Sequence, residues 1–137
     1  MSFRLFYWAD VALYLGVFVY AAWTRPRTAA LAGGAILAIV GFPLWILARV
    51  QLGSAFSVKA KAEHLVTTGL YARVRHPVYL FGTVAALGSL VALQVWWLLL
   101  LGLASTPLQV LRSMREDQVL KAAFGEEYER YRRQTWF

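Results

Sequence analysis

The chain has 137 residues, of which 60% are hydrophobic, a net charge of +7 and no cysteine. This hydrophobic fraction is well above the usual range of soluble proteins and predicts one membrane-embedded domain over residues 1–137. The lack of cysteine excludes disulfides, thiol nucleophiles and thiolate metal sites. Because the basic residues alternate with apolar segments, no soluble module is left to read nucleic acid, and we expect the positive charge to face phospholipid headgroups.

Two apolar segments begin the chain. Residues 5–23 and 29–48 are each close to the roughly 20 residues that a helix needs to cross a bilayer. The short polar stretch TRPR separates them, and its Pro26 is expected to end a helix. No small-residue cleavage pattern clearly follows the first segment, so we expect it to remain as a membrane span and not to act as a signal peptide.

A third apolar segment is too long for a single crossing. Residues 78–111 carry no charge, and one helix of that length would measure about 50 Å, against a hydrocarbon core of about 30 Å. We therefore predict a tight hairpin with arms at residues 78–93 and 95–111, turning at Leu93-Gln94-Val95. The predicted fold is an all-α integral membrane protein with about four transmembrane helices, the last two forming this hairpin, followed by a C-terminal cytoplasmic amphipathic helical segment.

The distribution of basic residues predicts the orientation. In this layout, 12 of the 14 lysines and arginines fall on one side, and Arg25 and Arg27 fall on the other. The positive-inside rule then predicts a multi-pass protein with both termini, a loop over residues 49–77 and a tail over residues 112–137 in the cytoplasm. The tail is expected to be helical to about Phe124, to break at Gly125 and to continue as a second amphipathic helix. Loop and tail therefore share one membrane face.

The loop ends in the stretch TTGLYARVRHPVYLFG, Thr67 to Gly82. Pro77 suits the first turn of the third helix, where no hydrogen-bond donor is lost, and His76 precedes it. A helix N-terminus that faces a polar pocket binds carboxylates or phosphates through its unpaired N–H groups. The alternative interpretation is that Arg73, Arg75 and His76 form only an interfacial anchor.

A second polar cluster begins the tail and contains Arg112, Arg115, Glu116 and Asp117. Arg112 and Glu116 are four residues apart, so the alternative is a simple ion pair on one helix face. The hairpin, however, is expected to bring this cluster beside His76. Opposite charges with aromatic walls suit a zwitterionic ligand that carries a cationic centre.

Two motifs carry a resemblance to a known family. LVTTGLYARVRHPVYLFG, followed after an uncharged hairpin by RSMREDQVLKAAFGEEYERY, resembles the isoprenylcysteine carboxyl methyltransferase family and its bacterial relatives, which are related to the phospholipid methyltransferases. The resemblance runs from about Leu52 to Tyr131. It implies a membrane enzyme, a bacterial inner-membrane location and an S-adenosylmethionine cofactor. Members commonly have a second glutamate where this chain has Asp117.

The resemblance also implies residue roles. Arg112 matches the position that faces the substrate carboxylate, Glu116 matches the position that holds the amino group of the cofactor, and no metal is implied. Carried over by position, the cofactor contacts are His64, Leu65, Val66, Tyr71, His76, Pro77, Val78, Tyr79 and Glu116.

The expected activity is carboxyl O-methylation of an isoprenylcysteine-like or other lipophilic acid at the cytoplasmic membrane face. Three alternatives stay open: a phospholipid N-methyltransferase of the phosphatidylethanolamine type, a reductase related to the membrane sterol reductases, and a non-catalytic scaffold that has kept the fold. The expected partners are a lipid-like substrate and membrane lipids. The pair Gly33-Gly34 permits close helix approach, including contact with a second copy of the chain.

Overall fold

The computed structural model describes residues 3–53 and 65–136, which form helices, turns and one isolated bridge between Val74 and Trp136. A 3₁₀ turn at Gly69–Ala72 lies in the described part of the loop between the second and third helices. The five α-helices are α1 (Phe3–Thr24), α2 (Ala29–Leu52), α3 (Pro77–Leu93), α4 (Trp96–Phe124) and α5 (Glu126–Gln134).

Small residues bring α2 and α3 into close contact, which is the most extensive helix contact in the described structure. A Cβ atom built on Gly34 would lie 2.3 Å from the backbone nitrogen of Ala92, and one built on Gly41 would lie 2.8 Å from that of Ala85. Glycine at these positions therefore lets the two backbones approach each other directly. The small side chains of Ala38, Ala85 and Ala92 are buried in the same seam.

The turn between α3 and α4 lies at Gln94 and Val95, where the sequence predicts it. Gln94 takes the left-handed conformation (φ 54°, ψ 36°), and its backbone N–H donates to the carbonyl oxygens of Leu90 and Val91. Its side-chain Nε2 donates to the Pro26 carbonyl oxygen at 3.2 Å and to Thr28 Oγ1 at 3.1 Å. The hairpin turn is thus tied to the α1–α2 connection.

Two helices run past the limits predicted for the spans. Helix α2 continues to Leu52 and does not end at residue 48. Helix α4 is one continuous helix of 29 residues that includes both the predicted arm 95–111 and the first part of the tail. No proline or glycine lies between Leu108 and Phe124, so nothing interrupts the helix until Gly125, which has a positive φ of 53° and lies at the predicted break.

The described residues include one helix, α2, that is long and apolar enough to cross a membrane, and two shorter apolar segments at Ala12–Thr24 and Pro77–Leu93. Large apolar side chains remain exposed along α1, α2 and α4; Leu13, Val19 and Leu100 are each about two thirds exposed. Exposed apolar surface on this scale marks contact with lipid or with another protein.

Candidate functional site

The N-terminus of α3 places His76 against the C-terminal third of α4. Pro77 begins α3 with its φ already suited to a helix, and His76 is the residue before it, with only 7% of its surface exposed. The imidazole Nε2 lies 2.7 Å from Asp117 Oδ1, and Nδ1 lies 3.5 Å from Glu116 Oε2. Each ring nitrogen therefore faces a different carboxylate of α4.

The two carboxylates determine the charge of this histidine. Burial by itself lowers the pKa of His76, but hydrogen bonds and charge from Asp117 and Glu116 outweigh burial and raise the pKa above its ordinary value of 6.5. An imidazolium donates from both nitrogens, which matches an acceptor at each one. The site therefore favours a protonated His76 between two negative groups.

Asp117 is the most heavily bonded residue of the site. Its Oδ2 accepts from the Arg75 guanidinium at 3.1 Å, and its Oδ1 accepts from the hydroxyl of Tyr128 as well as facing His76. Partial burial raises the pKa of Asp117, but the bonds from His76 and Tyr128 and the charges of His76 and Arg75 lower it below its ordinary value. Burial and the neighbouring carboxylate raise the pKa of Tyr128 strongly, so its hydroxyl remains a donor.

Helix α5 and the segment after it fold back onto the loop that precedes α3. The Tyr131 hydroxyl donates to the backbone carbonyl of Tyr71 at 2.8 Å. The backbone N–H of Trp136 donates to the carbonyl of Arg73 at 2.8 Å, and Arg75 Nε donates to the Trp136 carbonyl at 3.3 Å. The end of the described chain therefore holds the loop in place beside His76.

Six of the nine predicted cofactor contacts lie in or around this cluster: His76 and Glu116 themselves, and Tyr71, Pro77, Val78 and Tyr79. Pro77 is fully buried, and Val78 and Tyr79 are half-buried on the first turn of α3. The ring centroids of Tyr79 and His76 are 6.0 Å apart. Burial, followed by the charge of Glu116, raises the pKa of Tyr71 strongly, which places this buried phenol near the same carboxylate.

The remaining predicted contacts lie elsewhere. Leu65 lines an open cavity of about 430 Å³ between the loop and α5, and Val66 is half-buried beside it in the sequence. Tyr131 also lines that cavity and lies within electrostatic reach of Asp117 and Arg75, so the cavity and the His76 cluster share this residue as a neighbour. His64 lies outside the described residues.

Arg112 lies one helical turn before Glu116 and is exposed. Its charge and that of Glu116 both reach the hydroxyl of Tyr79. The simple Arg112–Glu116 ion pair, which the sequence left open, is not among the ion pairs of the described residues, because Glu116 faces His76. Arg112 therefore remains available at the edge of the cluster.

Sequence reasoning named Asp117 and Arg75 in the two polar clusters but missed their bond to each other and the role of Asp117 as the main partner of His76; it missed Tyr128 entirely. A signal existed for one pair, because Arg75 and Asp117 are opposite charges at the two ends that the hairpin brings together. Tyr128 gave no such signal, since its approach depends on the angle at which α5 leaves Gly125.

The groups present fit S-adenosylmethionine, which carries an ammonium, a carboxylate and a sulfonium. Glu116 offers a partly exposed carboxylate. Within the described residues, no side chain caps the N-terminus of α3, so backbone N–H groups of its first turn suit a carboxylate. The Tyr79 ring supplies an aromatic face for a cation.

The fold and the site define a small helical protein whose hairpin presents an imidazole–carboxylate cluster at one end. A family model described as phospholipid methyltransferase matches residues 29–127. The chain therefore belongs to the phospholipid methyltransferase family, and the resemblance inferred from the two motifs is confirmed.

Two relatives are similar in sequence or in structure. The protein-S-isoprenylcysteine O-methyltransferase of Schizosaccharomyces pombe is 37% identical over 99 residues, which are 64% of this chain and 40% of that protein. The structure of the eukaryotic intramembrane Ras methyltransferase, isoprenylcysteine carboxyl methyltransferase, superposes with a TM-score of 0.58 at 22% identity, covering 98% of this chain and 52% of that one. The chain thus spans about half the length of these relatives or less, and the second comparison bears on the fold alone.

Proposed function

We propose that this protein is a membrane methyltransferase that uses S-adenosylmethionine to methylate the carboxylate of an isoprenylcysteine-like or other lipophilic acid. The observation that carries the proposal is the cluster at the start of α3, where His76 contacts Glu116 and Arg112 lies one helical turn before Glu116 on α4. The exposed apolar surfaces of α1, α2 and α4 support a membrane location. The distribution of basic residues supports a multi-pass protein with the cluster at the cytoplasmic face, and the family resemblance supports a bacterial inner membrane.

Each group has a part in this proposal. Glu116 binds the ammonium of the cofactor, the first turn of α3 at Val78 and Tyr79 binds its carboxylate, and Arg112 holds the acceptor carboxylate. A planar guanidinium matches two carboxylate oxygens and remains charged at all relevant pH values. The cavity lined by Leu65 and Tyr131 lies next to this region and offers space for the rest of the cofactor.

The chemistry needs little from the protein beyond alignment. When bound, S-adenosylmethionine supplies an electrophilic methyl group, so that an acceptor oxygen bonds to the methyl carbon as the carbon–sulfur bond breaks and its electron pair stays on sulfur. A carboxylate is already ionised at neutral pH, and no general base is required. The residues of this chain therefore act by orienting the acceptor and excluding water from it.

The first experiment is calorimetric binding of S-adenosylhomocysteine to detergent-purified protein. Wild type is expected to bind, whereas Glu116→Ala and Tyr79→Ala are expected to weaken binding strongly. Glu126→Gln, on the exposed start of α5, is the matched control and is expected to bind like wild type. A folded wild type that does not bind, or a control that loses binding as far as Glu116→Ala, overturns the proposal and favours a non-catalytic scaffold.

A second experiment identifies the acceptor. The description of the matching family favours phospholipid amines as the competing acceptor, whereas the cationic Arg112 favours a carboxylate because it repels an amine. Transfer of a labelled methyl group is compared between a farnesylcysteine analogue and vesicles of phosphatidylethanolamine. A base-labile methyl ester supports carboxyl methylation, and a base-stable N-methyl product contradicts it.

A further inference from the structure

Asp117 of α4 connects the end of the loop, at Arg75 and His76, to α5 through one carboxylate. Oδ1 faces Nε2 of His76 and accepts from Tyr128 of α5, and Oδ2 accepts from Arg75 of the loop. We call the three residues Asp117, Arg75 and Tyr128 the aspartate bracket. Both oxygens of Asp117 are bonded within this bracket or to the imidazole.

Glu116 is held less tightly. Its contact with His76 is 3.5 Å, against 2.7 Å for Asp117. The side chain of Glu116 is 32% exposed, and that of Asp117 is 24% exposed. The two neighbouring carboxylates thus differ: both oxygens of Asp117 are bonded, whereas Glu116 has a longer contact with the ring, a somewhat more exposed side chain and an interaction with Tyr79.

Because the imidazole is rigid, the bonds of Asp117 also affect the side of the ring that faces Glu116. An imidazole is planar, so fixing Nε2 against Asp117 also restricts the direction in which Nδ1 points. In this structure Nδ1 points toward Glu116. Neither Arg75 nor Tyr128 is bonded to Glu116, so the path from the bracket to Glu116 runs through the histidine.

We propose that Asp117 is a positioning residue for His76, and that docking of α5 through Tyr128 sets the orientation of the imidazole and thereby the place of Glu116. The effect on cofactor binding rests on the proposed function. The effect on the orientation of the His76 ring does not depend on it. The C-terminal helix is then part of the site, because its hydroxyl completes the aspartate bracket.

A purely structural role is the competing explanation, in which the bracket only fastens the tail to the loop. The two explanations differ in what happens to the ring. The groups that face His76 include Glu116 and Asp117 of α4 and, through Asp117, Arg75 and Tyr128; the Tyr79 ring is an aromatic neighbour. If Asp117 positions the ring, the NMR signals of His76 change in variants of the bracket even when α5 stays packed against the loop. A purely structural role does not require this change.

Histidine NMR tests this directly, because the chain has two histidines. A His64→Gln sample assigns the signals, and the measurements are then made on the ¹⁵N-labelled chain with both residues. Asp117→Asn is expected to lower the titration midpoint of His76 and to shift its Nε2 signal. Tyr128→Phe keeps the buried ring and is expected to shift Nε2 to a smaller extent.

Glu129→Gln is the matched control, because Glu129 pairs with exposed Lys121 at 2.7 Å and not with His76. The control is expected to leave the His76 signals unchanged. If Asp117→Asn leaves the His76 titration unchanged, or if the control shifts it equally, the proposal is wrong. Tyr128→Phe reports on the hydroxyl even where Asp117→Asn fails to fold.

Binding of S-adenosylhomocysteine to the same variants tests the link to the cofactor site. Loss of a charge-assisted bond predicts affinity about tenfold weaker or more for Asp117→Asn, a smaller loss for Tyr128→Phe, and recovery of most of the affinity in Asp117→Glu. Equal binding by all variants contradicts the link. A wild type that does not bind contradicts the proposed function alone, since the NMR result still decides whether Asp117 orients His76.

Discussion

The side chain of Gln51, at the end of α2, accepts a hydrogen bond from the backbone N–H of Leu70 at 2.8 Å. The bond joins the last turn of α2 to the 3₁₀ turn that begins at Gly69. Gly69 has a φ of 63°, and a Cβ atom there would lie 2.4 Å from Gln51 Nε2. Because Gly69 has no side chain, the amide of Gln51 on α2 can approach the backbone here and hold the loop that carries Tyr71.

Removing this bond tests the importance of the loop anchor. Gln51→Ala leaves the Leu70 N–H without its partner, and we expect it to destabilise the protein by about 1 kcal/mol. S-adenosylhomocysteine affinity is also expected to fall, because Tyr71 lies on the 3₁₀ turn. The measurements are thermal unfolding in detergent and calorimetry. Gln118→Ala, which replaces an exposed glutamine on α4, is the control. An equal loss of stability and affinity in this control contradicts the role of Gln51.

Two adjacent glycines of α2 offer a matched pair for the helix seam. A Cβ atom on Gly34 would overlap backbone atoms of Gly88 and Ala92, whereas one on Gly33 meets nothing within 4 Å. We expect Gly34→Ala to destabilise the protein by about 1–3 kcal/mol, the usual range for overpacking. Gly33→Ala is expected to leave the stability unchanged or to raise it. Unfolding midpoints measured in the same detergent check this. Equal midpoints for the two variants contradict the close α2–α3 contact.

Much of the fold follows from the sequence because its signals are strong and local. An uncharged stretch of 34 residues, 78–111, has to turn back on itself, and the turn lies at Gln94. Gly125 ends α4 as predicted because a positive φ suits glycine there. The sequence predicted a span to residue 111 and a helix from about Arg112 to Phe124; the two form one continuous helix because nothing in that segment breaks a helix.

The candidate site was only partly predictable. His76 and Glu116 come together because the hairpin brings the two motif ends into contact. The dominant role of Asp117 was not predicted, since it depends on where Arg75 and Tyr128 reach in three dimensions. Side-chain direction at the end of a short helix such as α5 is fixed by packing and not by sequence spacing.

Arg112 is expected to act on the acceptor and not on the cofactor. Arg112→Ala removes the proposed clamp, so turnover of a farnesylcysteine analogue is expected to fall by about a hundredfold, which corresponds to roughly 2.7 kcal/mol of transition-state stabilisation. Arg112→Lys is expected to restore little, because an ammonium lacks the planar fork. The measurements are methyl transfer and S-adenosylhomocysteine affinity. Affinity that falls in parallel with turnover contradicts this division of roles.

The His76–Asp117 pair predicts how stability depends on pH. The pKa of Asp117 is lowered from 3.8, so its contribution is complete above that value and is lost as pH falls through the lower folded pKa. The pKa of His76 is raised from 6.5, so its contribution is complete below 6.5 and is lost as pH rises through the higher folded pKa. Both groups are charged and paired between these limits.

The stability difference between wild type and Asp117→Asn is therefore expected to be largest between pH 3.8 and 6.5 and to narrow on both sides. Unfolding midpoints of the two proteins, measured across this range in one detergent, give that difference directly. Glu129→Gln, which changes an exposed pair, is expected to show no such maximum. A difference that stays constant from acid to alkaline pH contradicts the pairing, because a carboxylate bonded to a titrating imidazole cannot contribute equally in both of its charge states.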